Sequence, residues 1–322
     1  MTLMKRQVIM ARRHNGRKRR GRAVNGWLIV DKPSGMTSTA VVNRVKRLYD
    51  AAKAGHGGTL DPLATGLLPI AFGEATKTVP YVMDGLKTYR FSLRFGVRTE
   101  TDDAEGEVVE QSDVRPSEDE ISAALPKFIG DIQQTPPIYS AIKVDGERAY
   151  DLARAKKPVV LEPRPIFIED FQLIEFTDAD HADFLVTSGK GAYMRSLARD
   201  LAQAVGTEGH IAALRRIKVG PFTENDAISL DELDSIGQIA ALEQRLLPVA
   251  AALDDIPALT LTEMEASRLK NGQPVSLLKK VDLHRIADLT EGDTVLAKGQ
   301  DGPIALARYS AGEVQPVRLL NL

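Results

Sequence analysis

The stretch GHGGTLDPLATG, residues 55–66, holds four glycines, one histidine and a single acid, Asp61. Glycine lets backbone come close to a large ligand, because no Cβ stands in the way. Asp61 directly precedes Pro62, which biases it toward an extended conformation. No Lys-Ser/Thr follows the glycines and GxGxxG is absent, so the segment is neither a phosphate-cradling P-loop nor a dinucleotide fingerprint. Two readings of Asp61 stand at this point. It is an Asx-turn acceptor that holds the loop, or a carboxylate presented to a ligand.

Outward from this loop, periodicity alternates between strand and helix. GWLIV (26–30) reads as a short buried strand, DKPSG turns the chain, and Thr37 or Ser38 caps a helix with Val41, Val45 and Leu48 on one face. LLPIAFG is a second apolar strand, and Glu74–Met83 is predicted helical despite Pro80. In KTYRFSLRFG, Tyr89, Phe91, Leu93 and Phe95 alternate with Arg90, Ser92 and Arg94, the pattern of a half-buried strand with a basic outer face. Pro116 and Ser117 open a helix over 117–129, and 192–205 forms another with Leu197, Leu201 and Val205 on one face. A shorter helix is expected to begin near His210. This order lacks a regular βαβ rhythm, so the fold class is α+β: a mixed or antiparallel sheet flanked by helices. The segment 246–259 marks a boundary, and short strands with Gly-containing turns beyond it form a small β-rich module. The expected division is a basic tail (1–24), a large domain (25–250) and the β-rich domain (251–322).

Composition narrows the function classes. With 322 residues, 43% hydrophobic and 27% charged, the chain is an ordinary globular one. There is no cysteine, which excludes disulfides and thiolate metal sites; the five histidines form no HExxH-like pair, so no metal is expected. No apolar run reaches the ~18 residues of a membrane span, and a cytoplasmic location is expected. Residues 1–22 carry nine Lys and Arg and no acid; the remaining 33 Lys and Arg face 44 Asp and Glu, a net of -11. Such a basic arm suits contact with nucleic acid, against the plainer readings of a solubilising extension or a presequence.

Individually, the remaining candidates are weak. His56 is a hydrogen-bonded loop residue or a flat ring that stacks on, or stands in for, a nucleobase. Tyr89 is a core aromatic or a ligand platform. Arg195 lies in the first turn of its helix, where a cation opposes the macrodipole by about 0.3–1 kcal/mol, which suggests a carboxylate partner elsewhere.

Taken together, GWLIVDKPSGMTS, AGHGGTLDPLATGLLPIAFGEATK, KTYRFSLRFGVRTETDDAEG, PPIYSAIKVDGERAYDLAR, GKGAYMRSLARDL and HIAALRRIKVGPF resemble, in order and spacing, the TruB family of bacterial tRNA pseudouridine-55 synthases. The resemblance covers residues 25–250, and the C-terminal module is similar, less specifically, to that family's PUA-like RNA-binding domain. It implies a pseudouridine-synthase fold that isomerises a flipped-out uridine in the T-loop of tRNA without a cofactor. Asp61 matches the catalytic aspartate; Tyr89 is implied to stack on the base, and Arg195 to pair with Asp61. His56, Asp103, Tyr193, Leu214 and Lys32 match positions at or around the base pocket. GHGGTLDP and GKGAYMR depart from the family's commoner GHTGALDP and SKGTYIR, which touches fine loop contacts only. The implied partner is the tRNA T-arm, bound by a monomer with no protein partner or membrane, through a basic face of Arg90, Arg94, Lys190, Arg215 and Arg216. A tRNA-folding chaperone with little or no chemistry is the alternative.

Overall fold

The computed structural model describes residues 21–144, 146–278 and 280–322. Nearly all of the basic tail therefore lies outside the described residues, apart from Arg22, which pairs with Glu243 at 2.8 Å. The large sheet has ten strands. Its main path runs Ala227–Ser229, Gly26–Lys32, Thr65–Phe72, Gly209–Val219, Lys87–Phe95, His181–Ser188, Arg164–Phe176 and Gly130–Gln134. The pairs of Gly26–Lys32 with Ala227–Ser229, and of Thr65–Phe72 with Gly209–Val219, are parallel; the other pairs on this path are antiparallel. This is a mixed sheet.

Where the chain is near-continuously apolar, both faces are covered. Leu28, Val30, Leu68 and Ile70 pack against Val41, Val45 and Tyr49 around the helix Ser38–Leu48. Trp27, Ile29, Leu67 and Ala71 face the other way, onto Phe222 and Leu253. In Lys87–Phe95 the alternation holds: Phe91, Leu93 and Phe95 are buried, while Arg90 and Arg94 are exposed. Those three phenylalanines and leucines meet Phe171, Phe184, Leu197 and Leu201, the last two from the helix Met194–Ala204. Residues 258–319 build a separate five-stranded sheet with its own core of Leu259, Leu269, Val295 and Val314. Leu296, Leu306 and Leu320 from that module join the Trp27 cluster, so the two sheets share an apolar seam.

Three local expectations need adjustment. Glu74–Met83 is two short pieces, a 3-10 turn Gly73–Lys77 and a helix Val79–Asp84 with Pro80 in its first turn, where its missing N–H costs nothing. The helix after Ser117 is α only over Glu118–Ala124, under a Ser117–Glu120 capping box, and continues as 3-10 through Phe128. The helix expected near His210 is a strand, Gly209–Val219, at the middle of the sheet. Two bulges, at Ile211/Ala213 and Arg216/Lys218, break its two-residue period. The buried residues Ile211, Leu214, Arg216 and Val219 therefore do not fall at every second position.

Gly66 sits at φ +95°, and a Cβ there would run into the Arg216 backbone across the parallel pairing. Gly66→Ala should lower stability by about 1–3 kcal/mol from left-handed strain alone, with the clash adding to it. Urea unfolding of the variant against wild type checks this; an unchanged midpoint would contradict the tight strand approach.

Candidate active site

The loop 55–66 closes over the sheet between the short strand Ala54–His56 and Thr65–Phe72. Its glycines make room chiefly for protein. A Cβ on Gly57 would strike Val82, one on Gly58 would touch Arg216, and one on Gly66 would strike the Arg216 backbone. Asp61 lies in the second half of the loop, followed by Pro62, and its side chain remains 36% exposed. Opposite stands Arg195, whose side chain is only 5% exposed. Its Nε lies 3.0 Å from Asp61 Oδ2. That is ion-pair distance but off the hydrogen-bond line, so Nε makes no hydrogen bond. The terminal nitrogens are fixed instead: Nη1 donates to Thr101 O and Nη2 to Tyr139 O, both at 3.0 Å. Asp103 Oδ2 is 3.6 Å from Nη1, and its other oxygen accepts from Thr101 Oγ1 at 2.6 Å and Glu105 N at 3.0 Å. A guanidinium is always protonated, so the arrangement is a buried permanent cation with one partly open carboxylate at its edge.

The other sequence-selected residues are distributed as follows. Tyr89 is half-buried against the Phe91 core cluster and stands opposite Arg216 on the neighbouring strand. Leu214 is buried and, with Leu63, Thr65, Phe91, Arg90 and Arg215, lines an open cleft of about 330 Å³. Asp61 does not line this cleft; it lies two residues before Leu63 in the same loop. Tyr193 precedes the Arg195 helix, tied through its backbone to the Gln134 amide, with the Arg164 guanidinium 5.2 Å from its ring centre. His56 is half-buried, and its Nδ1 has no hydrogen-bond partner among the described residues. Burial, reinforced by Arg216, lowers its pKa, so the ring is neutral at pH 7.

The expected basic face needs correction. Arg216 is buried inside the sheet, donating to Leu67 O at 2.8 Å, Gly58 O at 3.1 Å and Thr59 O at 3.4 Å. It braces the underside of the loop, and burial pulls its pKa down. It lies two residues after the buried Leu214 with no bulge between them, and so points to the same inner face. Arg90 is held by Asp183 and Glu175, Arg215 by Asp31 and Glu224, and Lys190 by Asp84. Of the five, Arg94 is exposed and forms no ion pair among the described residues.

This geometry coincides with clear relatedness. Residues 46–194 match the TruB family pseudouridylate synthase N-terminal domain, and residues 195–254 the tRNA pseudouridylate synthase B C-terminal domain. The tRNA pseudouridine synthase B of Gluconacetobacter diazotrophicus is 60% identical over 307 residues, spanning 94% of this chain and all of that one. That of Rhodospirillum rubrum is 56% identical over 95% of this chain and 99% of its own length. The chain belongs to the TruB family. A Cbf5–Nop10–Gar1 complex is similar in structure, with TM-score 0.69 and 25% identity over 92% of this chain and 84% of that one. An H/ACA RNP bound to a substrate RNA containing 2′-deoxyuridine shares the fold, with TM-score 0.70 at 22% identity over 92% and 85% of the two chains. Among the described residues no helix is long and apolar enough to cross a membrane.

Lys32 is the loop's third cationic brace. It is fully buried, and its Nζ donates to Pro33 O (2.8 Å), Met36 O (2.7 Å) and Pro62 O (3.0 Å), the last directly after Asp61. Sequence spacing gave no sign that Arg216 or the carbonyls of Thr101 and Tyr139 belong to the site, because they meet Arg195 and the loop only through the sheet order. Burial pushes the Lys32 pKa down from 10.5 to about 8, against the pull of Asp61. Below about pH 8 both folded and unfolded chains hold the proton, and the full cost of burying the charge is present. Between about pH 8 and 10.5 only the unfolded chain holds it, so this cost is relieved and stability rises. Lys32→Met should remove one proton's share of that rise, up to about 1.4 kcal/mol per pH unit, while Lys87, also lowered to about 8, keeps its own. Urea midpoints across pH 7–11 read the difference; parallel curves for variant and wild type would contradict it.

Proposed function

We propose that this TruB-family chain converts uridine 55 in the T-loop of tRNA to pseudouridine, with Asp61 as the catalytic group. The observation that carries the reading is the Asp61–Arg195 pair, at 3.0 Å. It is a carboxylate left partly open to solvent and aimed by a buried cation, beside an apolar cleft that Leu63, Phe91 and Leu214 line. The reaction breaks N1–C1′, turns the base, and joins C5 to C1′; the C5 hydrogen leaves as a proton to water and N1 takes up a proton, so the product is an isomer of the substrate. Asp61 acts at the sugar, by attacking C1′ or by taking a proton from it. Tyr89 and Leu214 bound the space for the everted base, whose extrusion costs a few kcal/mol. Tyr193 lies near by, and Asp103 and Lys32 hold the two sides of the Asp61–Arg195 pair. The neutral His56 fills the gap that the base leaves. The β-rich C-terminal sheet serves as a PUA-like RNA-binding module, and a cytoplasmic monomer acts on one T-arm.

Tritium at C5 of the uridine in a T-arm RNA should be released to water by wild type and by Asp61→Asn at less than one thousandth of that rate, with RNA affinity retained. Release by the Asn variant near the wild-type rate would remove Asp61 from the chemistry. Absence of release by wild type, with tight T-arm binding, would favour the chaperone reading.

The basic residues 1–22 supply phosphate contacts that the ion-paired arginines do not. Deleting them should weaken T-arm binding at low salt and flatten the plot of log K against log salt, whose slope is roughly -0.7 to -0.9 per neutralised phosphate. An unchanged slope would show that the arm does not contact phosphate.

A further inference from the structure

We propose that the Asp102–Arg199 ion pair is a positioning device that sets the geometry of Arg195, an inference that rests on the reading of the site just given. Residues 195 and 199 are four apart on the helix Met194–Ala204 and so share a face. Their guanidinium groups reach the same two chain segments. Arg195 binds Thr101 O and Tyr139 O; Arg199 binds Asp102 Oδ2 at 2.9 Å and Thr135 O at 3.0 Å. Ser196 Oγ takes the same Thr135 carbonyl at 2.8 Å. Asp200 occupies the remaining side of the Arg199 guanidinium at 2.8 Å.

Asp102 is the pivot of the first segment. It is buried and has φ +59°, a left-handed conformation uncommon outside glycine. Its N–H donates to Thr99 O at 3.2 Å, and its carbonyl accepts from Ile211 N at 3.1 Å. On one side of it, Thr101 supplies the carbonyl that holds Arg195 Nη1; on the other, Asp103 supplies the carboxylate facing the same nitrogen. A displacement of residue 102 therefore moves two groups that face Arg195, and Arg195 in turn faces Asp61. Neither Asp102 nor Arg199 lines the cleft or pairs with Asp61, so their effect passes through Arg195. Burial raises the Asp102 pKa while Arg199 opposes the rise, which is consistent with Arg199 being the partner that keeps the carboxyl ionised.

The test uses Asp102→Asn, Arg199→Lys and Asp102→Gly in the full chain; the asparagine variant removes only the charge, and the glycine variant removes the side chain while suiting the left-handed backbone. Three quantities are read: kcat for tritium release at saturating T-arm RNA, RNA Kd, and the 15N–1H resonance of Arg195 Nε, assigned by its loss in Arg195→Lys. The expected result is a fall in kcat of at least tenfold with Kd within twofold of wild type, a shifted Nε resonance, and no further loss when Asp102→Asn is added to Arg195→Lys. A kcat within twofold of wild type, a loss that multiplies in full with Arg195→Lys, an RNA affinity that falls in step with kcat, or an unmoved resonance would overturn the proposal. If wild type released no tritium, the functional reading would fall, and the resonance would still decide the positioning.

Discussion

A guanidinium removed from water must be surrounded by acceptors, because an unpaired buried charge costs several kcal/mol. Arg195 meets that requirement with groups from three distant parts of the chain: Asp61 from the glycine-rich loop, Thr101 O and Asp103 from the loop after Lys87–Phe95, and Tyr139 O from the segment after Gly130–Gln134. The helix that carries it is anchored by Leu197 and Leu201 in the Phe91–Phe184 core. The cation therefore occupies a fixed point, and the loops adjust to it. Of the two carboxylates that face it, Asp61 is 36% exposed and Asp103 only 4%, so the demand of a buried charge leaves a single oriented carboxylate open to solvent.

Two further cations extend the same logic beneath the loop. Arg216 takes the carbonyls of Gly58 and Thr59, and Lys32 takes that of Pro62. A segment with so few side chains has little apolar surface to bury, and Leu60 and Ala64 are its main contributions to the core. Its backbone carbonyls are the groups through which it is held. Hydrogen bonds from ionised donors are about twice as strong as neutral ones, which suits a loop that has to be rigid without being hydrophobic. Arg216 pairs across the sheet with Tyr89, so the aromatic on the central strand is the neighbour of the cation that holds the loop.

Much of this was legible in the sequence. The strict alternation from Tyr89 to Phe95 marks that strand's inner face, the GWLIV and LLPIAFG runs mark apolar strands, and the order of elements implies a mixed or antiparallel sheet, of which the structure has the mixed form. The pairing of Arg195 with Asp61 followed from the resemblance and not from spacing. The strand Gly209–Val219 does not read as one because two bulges break its alternation; a bulge is a property of the pairing and leaves no local mark. Arg215 and Arg216 are adjacent, so on a strand they cannot share a face, and the pairing opposite Tyr89 puts Arg216 inside. Asp102 and Arg199 carried no signal at all, because 97 positions separate them and only the packed helix brings them together.

The acidic body of the chain bears on how RNA would be gripped. Arg90, Arg215 and Lys190 stand near the sheet's open side, yet each already has a carboxylate within 3.1 Å. Exposed pairs of this kind contribute little to stability, typically below 1 kcal/mol, so they can be exchanged. A phosphate that displaces Asp183 from Arg90 replaces one anion by another, and the carboxylate left behind opposes it. Backbone contact alone then brings small net attraction, and an RNA lacking the right shape gains nothing to offset that repulsion. A face of paired charges thus discriminates against arbitrary RNA where a bare basic one would not, and leaves shape and the everted base to supply the selectivity.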